Sequence, residues 1–223
     1  VLIDIPKDVQ NQLVEVREWP EPGRADPFPT PDADLIAQAA AMINDAQRPI
    51  LYLGGGVVHS GASAEAVAFA EKLSLPTVMT LMALGTMPVD HPLSLGMLGM
   101  HGARFTNYLL DECDVLIAIG ARFDDRATGK VAAFCPQAKI IHIDIDPSEL
   151  DKIKNAHVGV TGDVKAVLEL LAPKSIACLR EQWLSRVAEL KAAHPLRMPG
   201  IDDPRTPYGL IRAVADCLDD DAT

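Results

Sequence analysis

Short apolar runs alternate with amphipathic stretches through most of residues 33–173. The runs hold four or five largely aliphatic residues, as in strands that are buried on both faces of a parallel sheet. The stretches between them place apolar residues at helical spacing, so the order is that of repeated strand–helix–strand units. We predict an α/β domain with a doubly wound, mostly parallel six-stranded sheet and helices on both faces.

The pattern assigns strands to residues 50–53, 77–80, 115–119, 139–143 and 157–160. It assigns helices to residues 35–43, 62–73, 104–110, 147–154, 164–171 and 175–192. Asp32 or Asp34 is expected to cap the first helix, because a carboxylate accepts hydrogen bonds from the first backbone N–H groups. Residues 82–102, rich in glycine and methionine, are expected to form a long loop, and residues 1–8 the end of a strand with the loop after it.

Proline content suggests where domains begin and end. Residues 16–32 contain five prolines, which interrupt helices and strand ladders, so this segment is predicted to be a linker. Residues 33–173 are the predicted central domain, and residues 174–205 a helix and a connection toward another domain. Because the chain begins at Val1 on the predicted end of a strand, we expect it to be a piece of a longer polypeptide.

Composition and charge narrow the function classes. The chain is 48% hydrophobic with five Phe, three Tyr and two Trp, so the core is expected to be aliphatic. A net charge of −11 argues against a nucleic-acid surface, which needs a basic stripe. No apolar run approaches membrane-spanning length and no signal peptide is visible. The four cysteines lack CxxC spacing and are predicted to be reduced, structural thiols of a cytoplasmic protein: Cys113, Cys135, Cys178 and Cys217.

Charged and glycine-rich segments follow the predicted strands. Residues 120–126 (GARFDDR) come directly after a buried strand, where ligands of open α/β sheets bind, and Arg122 and Arg126 suit phosphate or carboxylate. The alternative is a solvated turn whose charges neutralise one another. Residues 54–56 (GGG) suit a phosphate-binding turn or simply a tight strand-to-helix turn. They do not form GxGxxG, since the next glycine is Gly61.

Acidic residues and a second glycine-rich loop complete the candidate chemistry. Asp144 or Asp146 could bind ribose hydroxyls, while Asp146 could instead cap the helix at Pro147. Asp163 repeats the glycine–aspartate theme. Residues 96–102 (GMLGMHG) would allow close approach of a flat ligand, but His101 has no partner at metal-ligand spacing, so no metal site is predicted. The residues alone indicate a nucleotide-binding α/β domain with no visible reaction.

Several strings, taken in order, resemble the acetolactate synthase large subunit family, thiamine-diphosphate enzymes of branched-chain amino-acid synthesis. They are VLIDIPKDVQ at 1–10, RPILYLGGGV at 48–57, TLMALGTMP at 80–88, HPLSLGMLGMHGARFTNY at 91–108, GARFDDRATGK at 120–130 and AKIIHIDIDPSELDKIK at 138–154. The pair GMLGMHG and GARFDDR is specific to this family within the wider thiamine-diphosphate group. The resemblance covers nearly the whole chain.

The resemblance implies the middle part of a three-domain enzyme. Residues 1–15 would end an N-terminal pyrimidine-binding domain, and residues 206–223 would begin a C-terminal domain that binds thiamine diphosphate and magnesium. The central domain would bind FAD, a largely structural cofactor with no redox part in the net reaction. Because neighbouring domains would help to enclose the flavin, this chain alone is expected to hold FAD weakly or not at all. The implied FAD contacts are Gly54, Gly55, Gly56, Thr80, Leu81, Met82, Leu98, Gly99, Met100, His101, Gly102, Gly120, Ala121, Arg122, Asp124, Arg126, Asp144, Ile145, Asp163 and Val164.

Some of these residues have more specific implied roles. Arg122 would face the pyrophosphate, and Asp144 and Asp163 the adenosine end. Arg126 would receive the carboxylate of the second 2-keto acid, in a pocket lined by Met100. The channel mouth, where sulfonylurea and imidazolinone herbicides bind, would include Lys7, Met100, Asp125 and Arg126.

The resemblance also implies what this chain lacks. The glutamate that activates thiamine belongs to the first domain, and the GDG…NN motif to the third; the chain holds no Asn-Asn pair. The full enzyme would condense two pyruvates, or pyruvate with 2-ketobutyrate, as a homodimer or tetramer, with a possible regulatory subunit, whereas this chain alone would be inactive. The alternatives are a non-catalytic binding module, a related flavin-dependent enzyme such as glyoxylate carboligase or pyruvate oxidase, and an NAD-binding domain. Arg126 and Met100 argue against the second, and the absence of GxGxxG against the third.

Overall fold

A sheet of six parallel strands forms the centre of the computed structural model, which describes residues 3–19, 21–23 and 27–218. The strands are β1 (Pro49–Leu53), β2 (Thr77–Met79), β3 (Ser94–Met97), β4 (Val115–Ile119), β5 (Lys139–Asp144) and β6 (Val158–Thr161), in the spatial order β3-β2-β1-β4-β5-β6. Every residue of β1 and β4 is buried, because both lie in the middle of the sheet. The predicted doubly wound parallel sheet is confirmed.

Helices cover both faces of the sheet. They are α1 (Lys7–Gln10), α2 (Ala33–Asp45), α3 (Gly55–His59), α4 (Ser63–Leu73), α5 (Arg104–Glu112), α6 (Asp125–Thr128), α7 (Val164–Leu171), α8 (Glu181–Ala193) and α9 (Pro207–Ala215). The apolar sides of α2, α4 and α7 share one core with alternate strand residues such as Ile117, and α5 and α8 share the other with Leu116. The Asp32 carboxylate caps α2, accepting from the backbone N–H groups of Asp34 at 2.8 Å and Leu35 at 3.2 Å.

Three predicted boundaries are wrong. The predicted loop 82–102 contains β3, an edge strand whose glycine and serine hide the usual strand signal. The predicted helix 147–154 is a single 3-10 turn, Pro147–Glu149, since Asp151 adopts a left-handed conformation (φ 58°). Residues 3–6 form neither helix nor strand and α1 follows, against the expected strand end; residues 1 and 2 lie outside the described residues.

The helix predicted at 175–192 begins only at Glu181, because the segment before it is held by tertiary contacts. Arg180, 6% exposed, donates to backbone carbonyls at the C-terminal ends of two helices: Ile43 O at 2.9 Å within α2, Ala46 O at 3.1 Å just after α2, and Leu73 O in α4. These partners satisfy a buried guanidinium without any carboxylate. Arg180 therefore holds the segment before α8 against the C-terminal ends of α2 and α4.

The strand order places a crevice at the middle of the sheet. The chain moves outward from β1 through β2 to β3, then returns to β4 on the other side of β1. The loops after β1 and β4 consequently leave in opposite directions at the carboxyl edge, and ligands of such sheets bind between them.

Candidate functional site

Two glycine-bearing loops meet backbone to backbone at this crevice. The Gly54 N–H donates to Ile119 O and the Gly56 N–H to Gly120 O, both at 3.0 Å. A Cβ on Gly56 would lie 2.7 Å from the Gly120 Cα, and Gly120 has a φ of 54°. Glycine is therefore required here for the close contact of the two loops, as the tight-turn alternative expects, whereas Gly55 faces the open crevice.

Two adjoining cavities open above these loops. One, of about 330 Å³, is lined by predicted residues Gly55, Gly56, Gly120, Ala121 and Asp144. The other, of about 500 Å³, is lined by predicted residues Leu81, Leu98, His101, Asp125 and Arg126. Both share a wall made of Thr80, Met82, Arg122 and Asp124. The fold thus assembles one elongated crevice from loops that follow β1, β2, β3, β4 and β5.

Arg122 stands on the shared wall with its side chain 64% exposed. Its Nη2 lies 3.2 Å from Asp124 Oδ2, and both side chains are open to solvent. Exposed ion pairs of this kind contribute little, on the order of 0–1 kcal/mol. An anionic ligand in the crevice can therefore engage the guanidinium without a large cost.

Thr80 contributes a hydroxyl group to the shared wall that a ligand could satisfy. Its Oγ1 is buried and has no hydrogen-bond partner among the residues that the structure describes. Leaving a buried hydroxyl unsatisfied costs about 1–3 kcal/mol. Because Thr80 lines both cavities, a ligand with a polar atom near the shared wall would satisfy it.

Two buried side chains hold the Arg122 loop from below. The Tyr52 hydroxyl donates to Arg122 O at 2.9 Å, and His142 Nε2 lies 2.9 Å from Ala121 O, so this nitrogen carries the proton. Burial, reinforced by the Asp124 carboxylate, raises the pKa of Tyr52 well above its ordinary value. Burial lowers the pKa of His142 and outweighs the hydrogen bond to Ala121. Both groups are neutral donors at pH 7.

The predicted acidic residues take different positions. Asp144, 8% exposed, lines the smaller cavity and accepts from the Asp146 N–H at 3.0 Å. Asp146 accepts from the Ser148 N–H at 2.8 Å, so it caps the turn as the alternative expects. Hydrogen bonding from the Ser148 side chain, together with this backbone N–H, lowers the pKa of Asp146. Asp163 caps α7 through the Ala166 N–H at 3.1 Å and lines neither cavity.

Six other predicted FAD contacts lie outside the two cavity walls: Gly54, Gly99, Met100, Gly102, Ile145 and Val164. Gly102 packs under its own loop, since a Cβ there would lie 2.7 Å from Met97 O. Val164 is buried in the core, and Ile145 is exposed. Conversely, His59 and Glu149 line the smaller cavity and were not predicted. His59 sits one turn beyond the GGG run, which is the only sequence signal that could have found it.

The residues assigned to the substrate pocket are partly brought together. Met100, Asp125 and Arg126 line a third cavity of about 290 Å³, together with Gly99. The Asn107 side chain fixes this loop through hydrogen bonds of 2.9 Å to both the N–H and the carbonyl of Gly99. Met100 is 72% exposed. Lys7 lies in α1 and lines none of these three cavities.

The remaining candidate chemistry is limited. Within the described part of the chain, no three His, Cys, Asp or Glu side chains converge on a metal position. No helix in that part is both long enough and apolar enough to cross a membrane. All four cysteines are free; Cys113 and Cys135 are buried, whereas Cys178 and Cys217 are exposed and contribute nothing to the core, against their predicted structural role.

Comparison with known proteins agrees with this architecture. The chain is 54% identical over 222 residues to the Acetolactate synthase isozyme 1 large subunit of Escherichia coli (100% of this chain, 39% of that protein). It is 43% identical to the Probable acetolactate synthase large subunit of Methanocaldococcus jannaschii (99% and 39%) and 48% identical to the Acetolactate synthase large subunit of Corynebacterium glutamicum (87% and 32%). The chain thus spans less than two fifths of the length of these relatives. Residues 36–171 match the family described as thiamine pyrophosphate enzyme, central domain, and the chain belongs to that family.

Proposed function

We propose that this chain serves as the FAD-binding central domain of an acetolactate synthase large subunit. The observation that carries the FAD assignment is the shared wall of the crevice, where the exposed Arg122 guanidinium lies beside Thr80, whose buried hydroxyl has no hydrogen-bond partner among the described residues. The cavities on either side suit a long ligand with an anionic middle. The names of the relatives support the enzyme assignment.

The residues present fit FAD in three respects. Arg122 would bind the diphosphate, because a guanidinium donates parallel hydrogen bonds to phosphate oxygens. Asp144, in the smaller cavity, would accept a hydrogen bond from a ribose hydroxyl of the adenosine end. The Thr80 hydroxyl, which has no partner in the described part of the chain, would gain one. When bound, FAD would supply no redox step to the net condensation and would serve a structural role in the crevice.

The neighbouring cavity is proposed to serve the second substrate. Arg126 would receive the carboxylate of a 2-keto acid, and Met100 would provide an adaptable apolar contact. In the complete protein, this acid would be pyruvate or 2-ketobutyrate, and thiamine diphosphate with magnesium would be held by other parts of the polypeptide. The products would be 2-acetolactate or its 2-ketobutyrate-derived homologue.

Assembly and location are also proposals. The complete protein would form a homodimer or tetramer and could bind a regulatory subunit; the relatives are named large subunits. The free cysteines of the described residues support a reducing, cytoplasmic location. This chain alone is proposed to be inactive in carboligation.

Titration of the chain with FAD, followed by flavin fluorescence, tests the proposal. Saturable binding is expected, with weaker binding of FMN, which lacks the adenosine end, and of NAD. Arg122→Ala should weaken FAD binding. Arg212→Ala is a matched control, because Arg212 in α9 is 62% exposed, pairs with Asp216 at 2.8 Å and lines neither cavity of the crevice. No saturation up to the solubility limit of FAD, or equal weakening by both variants, would contradict the FAD assignment.

A further inference from the structure

A row of three residues crosses the centre of the sheet beneath the Arg122 loop. Tyr52 of β1 pairs with Ala118 of β4, and Ala118 pairs with His142 of β5. Since Ala118 carries only a methyl group, the row has a large side chain at each end and a gap in the middle. Parallel register brings the two large side chains to the same face of the sheet.

The gap is filled from above by the loop itself. Phe123, 3% exposed, points down from the loop. Its ring makes edge contacts with the Tyr52 ring at 5.9 Å and the His142 ring at 5.0 Å between centroids. Such edge contacts fix the relative orientation of aromatic rings. The loop is therefore seated between Tyr52 and His142 by packing as well as by hydrogen bonds.

The polar tips of the same two side chains reach consecutive carbonyls of the loop, Arg122 O and Ala121 O. On the opposite side, Gly56 packs against Gly120. The backbone of residues 120–122 is consequently held from both sides, although its own conformation is irregular. By contrast, the Arg122 side chain has a single exposed ion pair, so its direction depends on the backbone that carries it.

We propose that Tyr52 and His142 are positioning residues of the cofactor site. By fixing the carbonyls of residues 121 and 122, they aim the Arg122 guanidinium at the diphosphate of FAD. This inference rests on the proposed function. A purely structural role would be served as well by apolar residues of the same shape, which avoid burying a hydroxyl and an imidazole.

Removal of the tyrosine hydroxyl alone tests the role of Tyr52. Tyr52→Phe keeps the ring and its contact with Phe123, so the fold is expected to be retained. FAD affinity, measured by flavin fluorescence titration, should fall about threefold to tenfold, as for one hydrogen bond. Tyr108→Phe is the matched control, because Tyr108 also loses a hydroxyl hydrogen bond, to Arg104 Nε at 2.8 Å, away from the crevice.

A double-mutant cycle separates positioning from general stability. If Tyr52 acts through Arg122, Tyr52→Phe should have no further effect on FAD affinity in an Arg122→Ala background. A conservative variant tests His142 in the same way. His142→Leu removes the donor and should weaken FAD binding, whereas His142→Gln places an amide N–H near Ala121 O and should restore most of it.

The outcomes distinguish the inference from the function on which it rests. If the unchanged chain fails to bind FAD, the proposed function is wrong and the inference falls with it. If the unchanged chain binds FAD and Arg122→Ala weakens binding, the function stands. The inference is then overturned if Tyr52→Phe binds like the unchanged chain, if its effect is equal in both backgrounds, or if His142→Gln and His142→Leu bind equally.

Discussion

Gly120 offers the sharpest test of the loop contact on which the crevice depends. Two costs would follow from Gly120→Ala. Its φ of 54° is unfavourable for alanine, a cost of about 1–2 kcal/mol. The added Cβ would also lie 2.6 Å from the Gly56 Cα and 2.9 Å from its carbonyl carbon, so the two loops must separate. Overpacking of this kind costs about 1–3 kcal/mol.

Gly61→Ala is the matched control. Gly61 has a similar φ of 65°, but nothing lies within 4 Å of the position of its Cβ. Urea unfolding, followed by circular dichroism, should give a loss of about 1–2 kcal/mol for Gly61→Ala and about 2–5 kcal/mol for Gly120→Ala. Equal losses for the two variants would show that the loops do not constrain each other, and the account of the crevice would be refuted.

Two further predictions concern protonation and catalysis. Burial lowers the folded-state pKa of His142 below its unfolded value of about 6.5, and outweighs the hydrogen bond to Ala121 and the nearby carboxylates of Asp144, Glu149 and Asp151, which raise it. The unfolded chain therefore takes up the proton first, and stability should fall as pH drops below about 6.5. The urea unfolding midpoint should depend less on pH in His142→Gln and should keep its dependence in the control His101→Gln, because His101 is exposed. Equal pH dependence in the two variants would contradict the prediction. The chain, supplied with pyruvate, thiamine diphosphate, magnesium and FAD, should yield no acetolactate in a colorimetric assay, and measurable product would disprove its inactivity.

Burial decided which elements could be predicted from the sequence. The strands β1 and β4 lie in the centre of the sheet, so their side chains are apolar apart from the Tyr52 hydroxyl, and the strand signal is clear. Edge strand β3 is half exposed, and its Gly96 and Ser94 are residues that strands normally avoid. The late start of α8 depends on the three carbonyls around Arg180, which are more than 100 residues away along the chain and leave no local pattern.

The site was predictable only where it follows a strand directly. Arg122, Asp124 and Asp144 come just after buried runs, and the structure places all three on the crevice walls. Glu149 also lines the smaller cavity, because the 3-10 turn capped by Asp146 brings it there. Residue spacing along the chain does not predict that position. Asp163 has the same glycine–aspartate context as a ligand-binding residue, yet its carboxylate caps a helix.

The strand order also governs when the chain can acquire its crevice. Central strand β1 pairs with β4, so β2, β3 and their helices are synthesised before the middle of the sheet can close. Pairings between such distant segments form slowly. The crevice, whose wall rests on β1, β4 and β5 together, therefore exists only in the completed fold. A ligand that binds there would stabilise the whole sheet by mass action, so cofactor supply would influence how much newly made chain remains folded.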